Sequence, residues 1–292
     1  MRCPAKLNLC LHVLGKRPDG YHELRGVMVP IPWFDDLEVE VVPGGQGIVL
    51  DLALGSEAVP SGRENLAVRA AEAFLGAIGK SYAVRIRLAK NIPVGAGLGG
   101  GSSDAAGVLR RMNEVTGSPL DRAAIVEMAA SLGADCPFFL DPRPVRMRER
   151  GDVVELLQDF PSLPVVVMVP AERLSTAEVF GKSGNLGLTW ERRNGKDSCL
   201  LDQVQGPLTG TAWAELGVND LSEAVFEECP RTRHWVDALA RAGARASGVT
   251  GTGSAAFGVF DTLDAARATL EALQGLMRQG ERAMAMASGL DS

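Results

Sequence analysis

The stretch that constrains the fold of this chain most is Pro93-Val94-Gly95-Ala96-Gly97-Leu98-Gly99-Gly100-Gly101-Ser102-Ser103-Asp104-Ala105-Ala106. Its glycines permit positive φ angles and remove every Cβ, so that successive backbone N–H groups can converge on one anion. The residues that follow predict a helix capped by Ser102 or Ser103, because apolar side chains recur three and four positions apart. A phosphate at that helix start would meet unpaired N–H groups and the positive end of the helix dipole.

Two better-known phosphate motifs do not explain this stretch. Gly95-x-Gly97-x-x-Gly100 matches the dinucleotide fingerprint, but that motif also needs a second strand ending in an acidic residue about 20 positions on. In this chain the corresponding region, 114–121, has the pattern of a helix end and a turn. A Walker A loop needs a lysine before its serine or threonine, and Gly101-Ser102-Ser103 has none. A flexible linker is the simplest alternative, but it would leave the amphipathic helix unexplained.

Composition and charge exclude several classes of protein. The 292 residues suit two domains, and a net charge of −6 argues against nucleic acid as a partner. The five cysteines form no Cys-x-x-Cys pair, which is typical of reduced thiols in the cytoplasm. The apolar run 165–169 is far shorter than the span of about 18 residues that a membrane helix needs. We therefore predict a cytoplasmic protein with small-molecule partners and no nucleic-acid or membrane partner; the oligomeric state is left open.

Alternating apolar residues predict strands on both sides of the glycine-rich stretch. In the first, 5–13, Lys6 and Asn8 point to the same face. The turn at 15–24 then presents Tyr21 and His22 together, which suits a planar ring or plain surface packing. Three further strands are predicted at 37–41, at 48–52 after a hairpin-like turn at 44–47, and at 82–89.

Residue types at helix ends predict the helices of the N-terminal half. Asn65 would cap one helix that Gly79 ends, and Ser118 with Pro119 would open another that Gly133 ends. Asp135 then stands before an apolar predicted strand, either as a partly desolvated carboxylate or as a loop cap.

Four arginines at mostly alternate positions follow Asp135. They are Arg143, Arg146, Arg148 and Arg150. This spacing predicts the charged face of an edge strand, with diphosphate binding as the alternative.

A linker at 158–164 marks a domain boundary, and we predict two domains, 1–160 and 161–292.

The second domain offers fewer signals. A buried strand at 165–169 precedes a helix opened by the capping box Ser175-Thr176-Ala177-Glu178. The segment 182–207 lacks periodicity and has the pattern of a surface excursion. A second glycine-rich turn, 247–260, enters a strand, as a plain tight turn or as a close approach to a ligand. Thr262 would cap a helix, and 283–287 is the last predicted strand.

Taken together, three segments resemble the GHMP superfamily of galactokinase, homoserine kinase, mevalonate kinase and phosphomevalonate kinase. They are Pro4-Ala5-Lys6-Leu7-Asn8-Leu9, the loop from Pro93 to Ala106, and the turn from Thr250 to Phe257. The turn Asp19-Gly20-Tyr21-His22-Glu23-Leu24 and the segment Leu132-Gly133-Ala134-Asp135-Cys136-Pro137 resemble the branch whose acceptor is a cytidine-diphosphate-linked polyol. The fold implied is α+β, with an N-terminal nucleotide-loop domain and a C-terminal ferredoxin-like domain.

The activity implied by this resemblance is phosphoryl transfer. ATP, with Mg²⁺, would phosphorylate the 2-hydroxyl of a cytidine-diphosphate-linked methylerythritol, in the non-mevalonate route to isopentenyl diphosphate. The alternatives are a kinase of the same superfamily for another small alcohol, such as mevalonate or homoserine, and a non-catalytic metabolite sensor on the same fold. Retention of both Lys6 and Asp135 counts against the sensor.

The same resemblance implies which residues form the site. Lys6 and Asp135 would be the catalytic pair: an ionised aspartate, with a reference pKa of about 3.9, can accept the hydroxyl proton or position the alcohol, and lysine can offset phosphoryl charge. ATP phosphates would be held by Pro93, Val94, Gly95, Ala96, Gly97, Leu98, Gly99, Gly100, Gly101, Ser102 and Ser103. Substrate contacts would come from Asn8, Tyr21, His22, Thr176 and Phe180, and the site would be closed by Thr250, Gly251, Thr252 and Gly253. The metal ligands stay open, with Asp104 either binding Mg²⁺ or favouring the helix start.

Overall fold

The computed structural model describes residues 1–53, 59–185, 208 and 211–290, which form two compact units. The first unit consists of Met1–Ala5, Trp33–Val94 and Gly99–Pro142. The second consists of Lys6–Pro32, Gly95–Leu98 and the described residues from Arg143 onwards. The chain therefore passes between the units several times, and the division of the sequence into 1–160 and 161–292 stays a prediction.

The described residues form strands and helices in mixed order. The strands are β1 (Arg2–Lys16), β2 (His22–Pro43), β3 (Ile48–Leu52), β4 (Tyr82–Ala89), β5 (Val145–Arg148), β6 (Val153–Leu156), β7 (Pro164–Val169), β8 (Ala246–Val249), β9 (Ala256–Val259) and β10 (Arg282–Ala287). The helices are α1 (Leu66–Ile78), α2 (Gly100–Val115), α3 (Arg122–Leu132), α4 (Cys136–Leu140), α5 (Thr176–Asn185), α6 (Thr211–Glu215), α7 (Ser222–Glu228), α8 (Pro230–Arg241) and α9 (Leu263–Gln274). No described helix combines the length and the apolar character that crossing a bilayer requires.

The core of the first unit lies between helices and the strands β2, β3 and β4. The second half of β2 pairs antiparallel with β4, and β3 pairs parallel with β4, with Ile48 opposite Val84. The predicted strands 37–41, 48–52 and 82–89 are thereby confirmed. The hairpin-like turn at 44–47 is wrong, because β3 pairs with β4 and not with β2, so the chain crosses over between β2 and β3. The buried faces of α1 and α2 contribute Phe74, Leu109 and Met112 to this core.

Helix ends in the first unit follow local chemistry, with two corrections. Asn65 caps α1 by accepting a hydrogen bond from the Ala67 N–H, and Gly79 ends it with a φ of 62°, as predicted. α3 begins later than predicted, because the Asp121 carboxylate accepts from the Ala124 N–H at 2.8 Å. The apolar run after Asp135 forms the short helix α4 instead of a strand, with Pro137 in its first turn, where a fixed φ favours helix.

The second unit contains a four-stranded antiparallel sheet in the order β10-β7-β9-β8. Helices lie between β7 and β8 and between β9 and β10 in the chain, which gives the βαββαβ order of a ferredoxin-like fold. Its core includes Trp235, Leu239 and Phe260. The predicted ferredoxin-like domain, the strands 165–169 and 283–287, and the Thr262 cap are confirmed. The predicted excursion 182–207 lies outside the described residues beyond Asn185.

The arginine-rich segment lies in a paired strand of the second unit. β5 pairs with β2 through Gly26 opposite Met147 and with β6 through Val145 opposite Leu156. The predicted edge strand is therefore wrong, because β5 has a hydrogen-bonded neighbour on each side. Arg146 donates to the Glu155 carboxylate at 3.0 Å across β5 and β6, so its charge is used in the sheet.

Candidate active site

The glycine-rich loop adopts the conformation that its composition requires. Gly95, Gly97 and Gly99 have φ angles of 72°, 76° and 73°, which disfavour any residue with a Cβ. α2 begins directly after Gly99 and has no side-chain cap, so the predicted cap by Ser102 or Ser103 is wrong. Both serines lie inside the first turn of the helix instead. A helix start without a protein cap at the end of a glycine loop is suited to an anion.

The middle of the loop packs closely against the second glycine-rich turn, within the second unit. A Cβ on Gly97 would lie 2.3 Å from the Thr250 carbonyl oxygen and 3.0 Å from that of Gly253. Backbone hydrogen bonds hold the neighbouring residues: Leu174 N–H to Gly95 O, Ala255 N–H to Ala96 O, and Lys6 N–H to Leu98 O. The close approach that the sequence offered as one interpretation of the 247–260 turn is present, and its partner is the loop backbone.

Lys6 and Asn8 meet this turn from β1. The Lys6 ammonium donates to Asn8 Oδ1, and the Asn8 backbone N–H donates to Thr250 Oγ1 at 2.8 Å. A Cβ on Gly251 would lie 3.1 Å from Lys6 Nζ, so a side chain at this position would press on the amine. Lys6 is 3% exposed and Asn8 is 4% exposed. A buried amine costs free energy unless it is hydrogen-bonded or paired, which makes its position here a specific feature of the site.

The remaining substrate-contact candidates lie in the same unit. The rings of His22 and Phe180 stack with centroids 4.7 Å apart and an interplanar angle of 16°. Burial lowers the pKa of His22, and Lys16 lowers it further, so the imidazole is neutral near pH 7. Thr176 Oγ1 lies 3.2 Å from Thr252 Oγ1. Tyr21 is 58% exposed, and the Arg150 guanidinium lies 5.1 Å from its ring centroid.

Asp135 belongs to the first unit, where it immediately precedes α4. Its neighbour Cys136 is buried and hydrogen-bonds with the Ser102 side chain in the first turn of α2. Burial raises the pKa of the Cys136 thiol to about 11, so this contact is between neutral groups. The carboxylate itself is half-buried at the N-terminal end of α4. Packing of α4 against α2 therefore determines where Asp135 lies relative to the helix start.

Sequence reasoning missed a buried charge cluster next to the loop. Lys90 donates to carboxylates of both Asp35 and Asp104, the second at 2.7 Å. Asp35 Oδ1 also accepts from the N–H groups of Asn91 and Ile92, at 2.6 and 2.8 Å. The sequence does offer a signal for this cluster, because two charged residues stand in or beside apolar strands. Asp35 interrupts a long apolar strand, and Lys90 ends the alternating pattern of β4.

Two buried oxygens at the start of α2, beside this cluster, have no hydrogen-bond partner in the part of the chain that the structure describes. Burial raises the pKa of Asp104 to about 7; Lys90 opposes this shift and the nearby Asp35 adds to it. Burial opposes the charge of Lys90, but the two carboxylates outweigh it and raise the lysine pKa. Among the described residues, Ser103 Oγ and Asp104 Oδ1 are buried without a hydrogen-bond partner. Unused buried acceptors at the helix start suit a ligand, since such groups are costly when left unpaired.

Family models match both halves of the chain. The model for the GHMP kinases N terminal domain matches residues 65–141. The model for the GHMP kinases C terminal domain matches residues 208–279. The first match contains the glycine-rich loop and Asp135, and the second contains the turn 250–253.

Curated relatives and solved structures agree with these models. The chain is 41% identical to the 4-diphosphocytidyl-2-C-methyl-D-erythritol kinase of Geobacter sp. (strain M21), over 90% of each chain. It is 36% identical to the enzyme of the same name from Syntrophotalea carbinolica, over 97% of this chain and 96% of the relative. A solved 4-(cytidine 5'-diphospho)-2C-methyl-D-erythritol kinase superposes with a TM-score of 0.74 at 33% identity, covering 100% of this chain and 99% of that one. The homoserine kinase of Cytophaga hutchinsonii shares the fold, with a TM-score of 0.73 at 15% identity over 99% of this chain and 93% of that one.

Proposed function

The chain belongs to the 4-diphosphocytidyl-2-C-methyl-D-erythritol kinase family of GHMP kinases, and we propose that it transfers the γ-phosphate of ATP to the 2-hydroxyl of that substrate. The products are ADP and the 2-phosphate, in the non-mevalonate route to isopentenyl diphosphate. The observation that carries the proposal is the buried Lys6 amine, hydrogen-bonded to Asn8 and enclosed by the Gly251 turn beside the glycine loop. A strand that served only the fold would gain nothing from burying an ammonium there.

ATP binding is assigned to the glycine-rich loop and the start of α2. The loop's three positive-φ glycines let backbone N–H groups approach the phosphates, and the uncapped helix start adds its dipole. Phosphoryl transfer depends mainly on positioning and on charge stabilisation, which such a cradle supplies. The residues 93–103 are therefore proposed as the nucleotide site.

Lys6 and Asp135 are proposed as the catalytic pair. An ionised aspartate beside the acceptor hydroxyl takes up its proton or aligns its oxygen with the γ-phosphorus. The Lys6 ammonium stabilises negative charge that grows on the phosphoryl oxygens in the transition state. Asn8 holds the lysine through its side-chain oxygen while its backbone N–H is anchored on Thr250.

Mg²⁺ is proposed at the start of α2. The donor set fits: Ser103 offers an unused hydroxyl and Asp104 an unused carboxylate oxygen, and both are oxygen ligands of the kind that Mg²⁺ prefers. Mg²⁺ supplies neutralisation of phosphate charge when bound to ATP. The other carboxylate oxygen of Asp104 accepts a hydrogen bond from Lys90, which restricts rotation of the carboxylate.

The cytidine group is assigned to His22, Phe180 and Tyr21, with Thr176 and Asn8 nearer the polyol. A neutral imidazole can both stack on a pyrimidine and hydrogen-bond to its polar edge. His22 and Phe180 stack on each other at 4.7 Å, and a base inserted between two rings needs a spacing of about 7 Å, so binding would part them.

The alternative acceptors receive less support. The homoserine kinase that shares this fold is 15% identical to the chain, and a mevalonate kinase of the same fold is 13% identical, so both support the fold and not the acceptor. The expectation of a cytoplasmic protein rests on composition and stays a prediction. The ATP-dependent reaction and its acceptor are therefore best tested directly.

The test is an ADP-release assay on the full chain with ATP and Mg²⁺, using 4-diphosphocytidyl-2-C-methyl-D-erythritol, mevalonate and homoserine as separate acceptors. We expect ADP and a stoichiometric phosphorylated product with the cytidine substrate, and background rates with the others. Turnover of mevalonate or homoserine alone would replace the proposal by another acceptor. Calorimetric binding of the cytidine substrate without any ADP would establish the sensor instead.

A further inference from the structure

A second cluster of functional side chains lies on β1, beyond Lys6 and Asn8. Cys10 and His12 follow at alternate positions, so they share the face that carries Lys6 and Asn8. The Cys10 thiol, a His12 ring nitrogen and a Glu215 carboxylate oxygen all lie within 4.8 Å of one another. Cys10 is 1% exposed, and His12 is 3% exposed. The proposed kinase reaction uses none of these three groups.

Backbone hydrogen bonds hold the two halves of this cluster in register. The segment from Glu215 to Asp220 runs alongside β1, with Gly217 N–H donating to Leu9 O at 2.8 Å and Leu11 N–H donating to Val218 O at 2.9 Å. Asp220 N–H donates to Leu11 O at 3.0 Å, and the Asp220 carboxylate accepts from Val13 N–H at 2.9 Å. The side chains on either side are therefore preorganised by main chain and not by their own contacts alone.

We propose that Cys10, His12 and Glu215 bind one zinc ion, which clamps β1 to the 215–220 segment. A thiolate, an imidazole and a carboxylate are the three side-chain ligand types of zinc. Tetrahedral zinc with bonds of about 2.0–2.3 Å holds its ligand atoms roughly 3.5 Å apart. Zinc binding would therefore replace the hydrogen bond between His12 and Glu215, and it would need side-chain shifts of about an ångström within the cluster. The three protein ligands leave a fourth position for water.

The surroundings match a metal-binding histidine. One ring nitrogen of His12, Nε2, faces the Glu215 carboxylate, and the other, Nδ1, lies 3.9 Å from Asp220 Oδ2. A histidine that binds a metal through one nitrogen usually directs the other toward a carboxylate, which orients the ring. A plain ion pair between His12 and Glu215 accounts for two of the three residues, whereas a metal site also accounts for the Cys10 thiol that lies within 4.8 Å of both.

The zinc ion would stabilise two elements of the proposed kinase site, β1 and the turn at 250–253. Asn219, in the same segment, donates from its side-chain amide to the carbonyl oxygens of Val249 at 3.0 Å and Gly251 at 2.8 Å. A metal that joins Glu215 to β1 therefore ties together the strand of Lys6 and the turn at Thr250–Gly253. The ion has a structural role, because its ligands do not include a residue assigned to ATP or the acceptor.

The experiment measures metal directly and needs no kinase activity, so its failure is separate from failure of the proposed function. The full chain, stripped with a chelator, is reloaded with zinc and desalted, and zinc is counted per chain by mass spectrometry. Cobalt serves as the coloured substitute. We expect about one zinc per chain, and with cobalt a sulfur-to-metal charge-transfer band that Cys10→Ala abolishes.

Two variants and a control keep the result decisive. Cys229→Ala removes another cysteine of the same unit that is also 1% exposed, and it should leave zinc content and the cobalt band unchanged. Glu215→Gln alters the ligand at the end of α6, and it should lower zinc affinity at least tenfold while far-ultraviolet circular dichroism stays that of the parent. No zinc retained by the parent chain, or zinc content equal in parent, Cys10→Ala and Glu215→Gln, would overturn the proposal.

Discussion

The role proposed for Asp135 can be tested by measuring the kinase activity of a single variant. Changing Asp135→Asn preserves size and the start of α4 but removes the group proposed to receive the hydroxyl proton. We expect kcat to fall by roughly 10² to 10⁴, the range of a positioned acid–base group, while the Kd for ATP is unchanged. Steady-state kinetics and nucleotide titration measure the two effects.

Asp121→Asn is the matched control, because Asp121 also stands directly before a helix of the first unit, where it caps α3. It should cost little stability, since asparagine is itself a good N-cap, and it should leave kcat within about twofold. If the two variants lose the same activity, the loss at Asp135 is not specific to a catalytic carboxylate.

Phe180 is expected to contribute to acceptor binding and not to chemistry. Phe180→Ala removes the ring that stacks on His22, and stacking on a base is worth about 1–3 kcal/mol. We expect the KM for the cytidine substrate to rise roughly 5- to 150-fold, with kcat and the KM for ATP nearly unchanged. Phe226→Ala, which removes a partly buried aromatic ring on α7 in contact with Arg233, should have no such effect. A loss confined to kcat would contradict the assignment.

At the scale of the element, the glycine loop depends on a close backbone approach. Gly97→Ala places a Cβ 2.3 Å from the Thr250 carbonyl oxygen in a residue with a φ of 76°. Gly44→Ala is the matched control, because Gly44 has a φ of 73° and nothing within 4 Å of a Cβ. We expect the control to lose about 1–2 kcal/mol of unfolding free energy through backbone strain alone. Gly97→Ala should lose more and should also weaken ATP binding, as urea titration and calorimetry would measure; equal losses would refute the packing argument.

The junction of β2, β4 and α2 should make stability depend on pH. The folded state raises the pKa of Asp104 from 3.8 to about 7 through burial, opposed by Lys90 and reinforced by Asp35. Between these values the folded chain holds a proton that the unfolded chain has lost, so the free energy of unfolding falls as pH rises. We expect Asp104→Asn to remove a loss of roughly 2 kcal/mol between pH 5 and pH 7. Urea titrations at both pH values measure it, and parallel curves for parent and variant would contradict the shift.

At the scale of the molecule, charge sets how the substrates approach. Both proposed substrates are anions, whereas the chain carries a net charge of −6. The net charge therefore gives no long-range attraction, and we expect substrate capture to depend on the loop N–H groups and Mg²⁺. We expect kcat/KM to change less than about threefold between roughly 0.05 and 0.3 M salt, since screening removes little attraction. A tenfold fall would reveal a basic approach path.

Local patterns predicted most individual elements. Alternation in 82–89 and the spacing of apolar residues after the loop gave β4 and α2 correctly, because each pattern reports which face is buried. The helix caps Asn65 and Thr262 were also predicted correctly, because each side chain bonds a backbone N–H only two or three residues further along the chain. The five residues of α4 are apolar throughout, so no period could separate helix from strand. The partners of β3 and β5 were missed because strand pairing joins residues that are distant in the chain.

For the candidate site, the sequence by itself determined the residue types and the loop conformation: glycines at 95, 97 and 99 are what positive φ demands. Tertiary structure alone decided which partner each group contacts: Asn8 is hydrogen-bonded to Thr250, and His22 is stacked on Phe180. It alone also revealed the Lys90 cluster and the Cys10–His12–Glu215 group. The physical reason is that backbone preferences act within a few residues, whereas buried polar groups must find partners wherever packing brings the chain together.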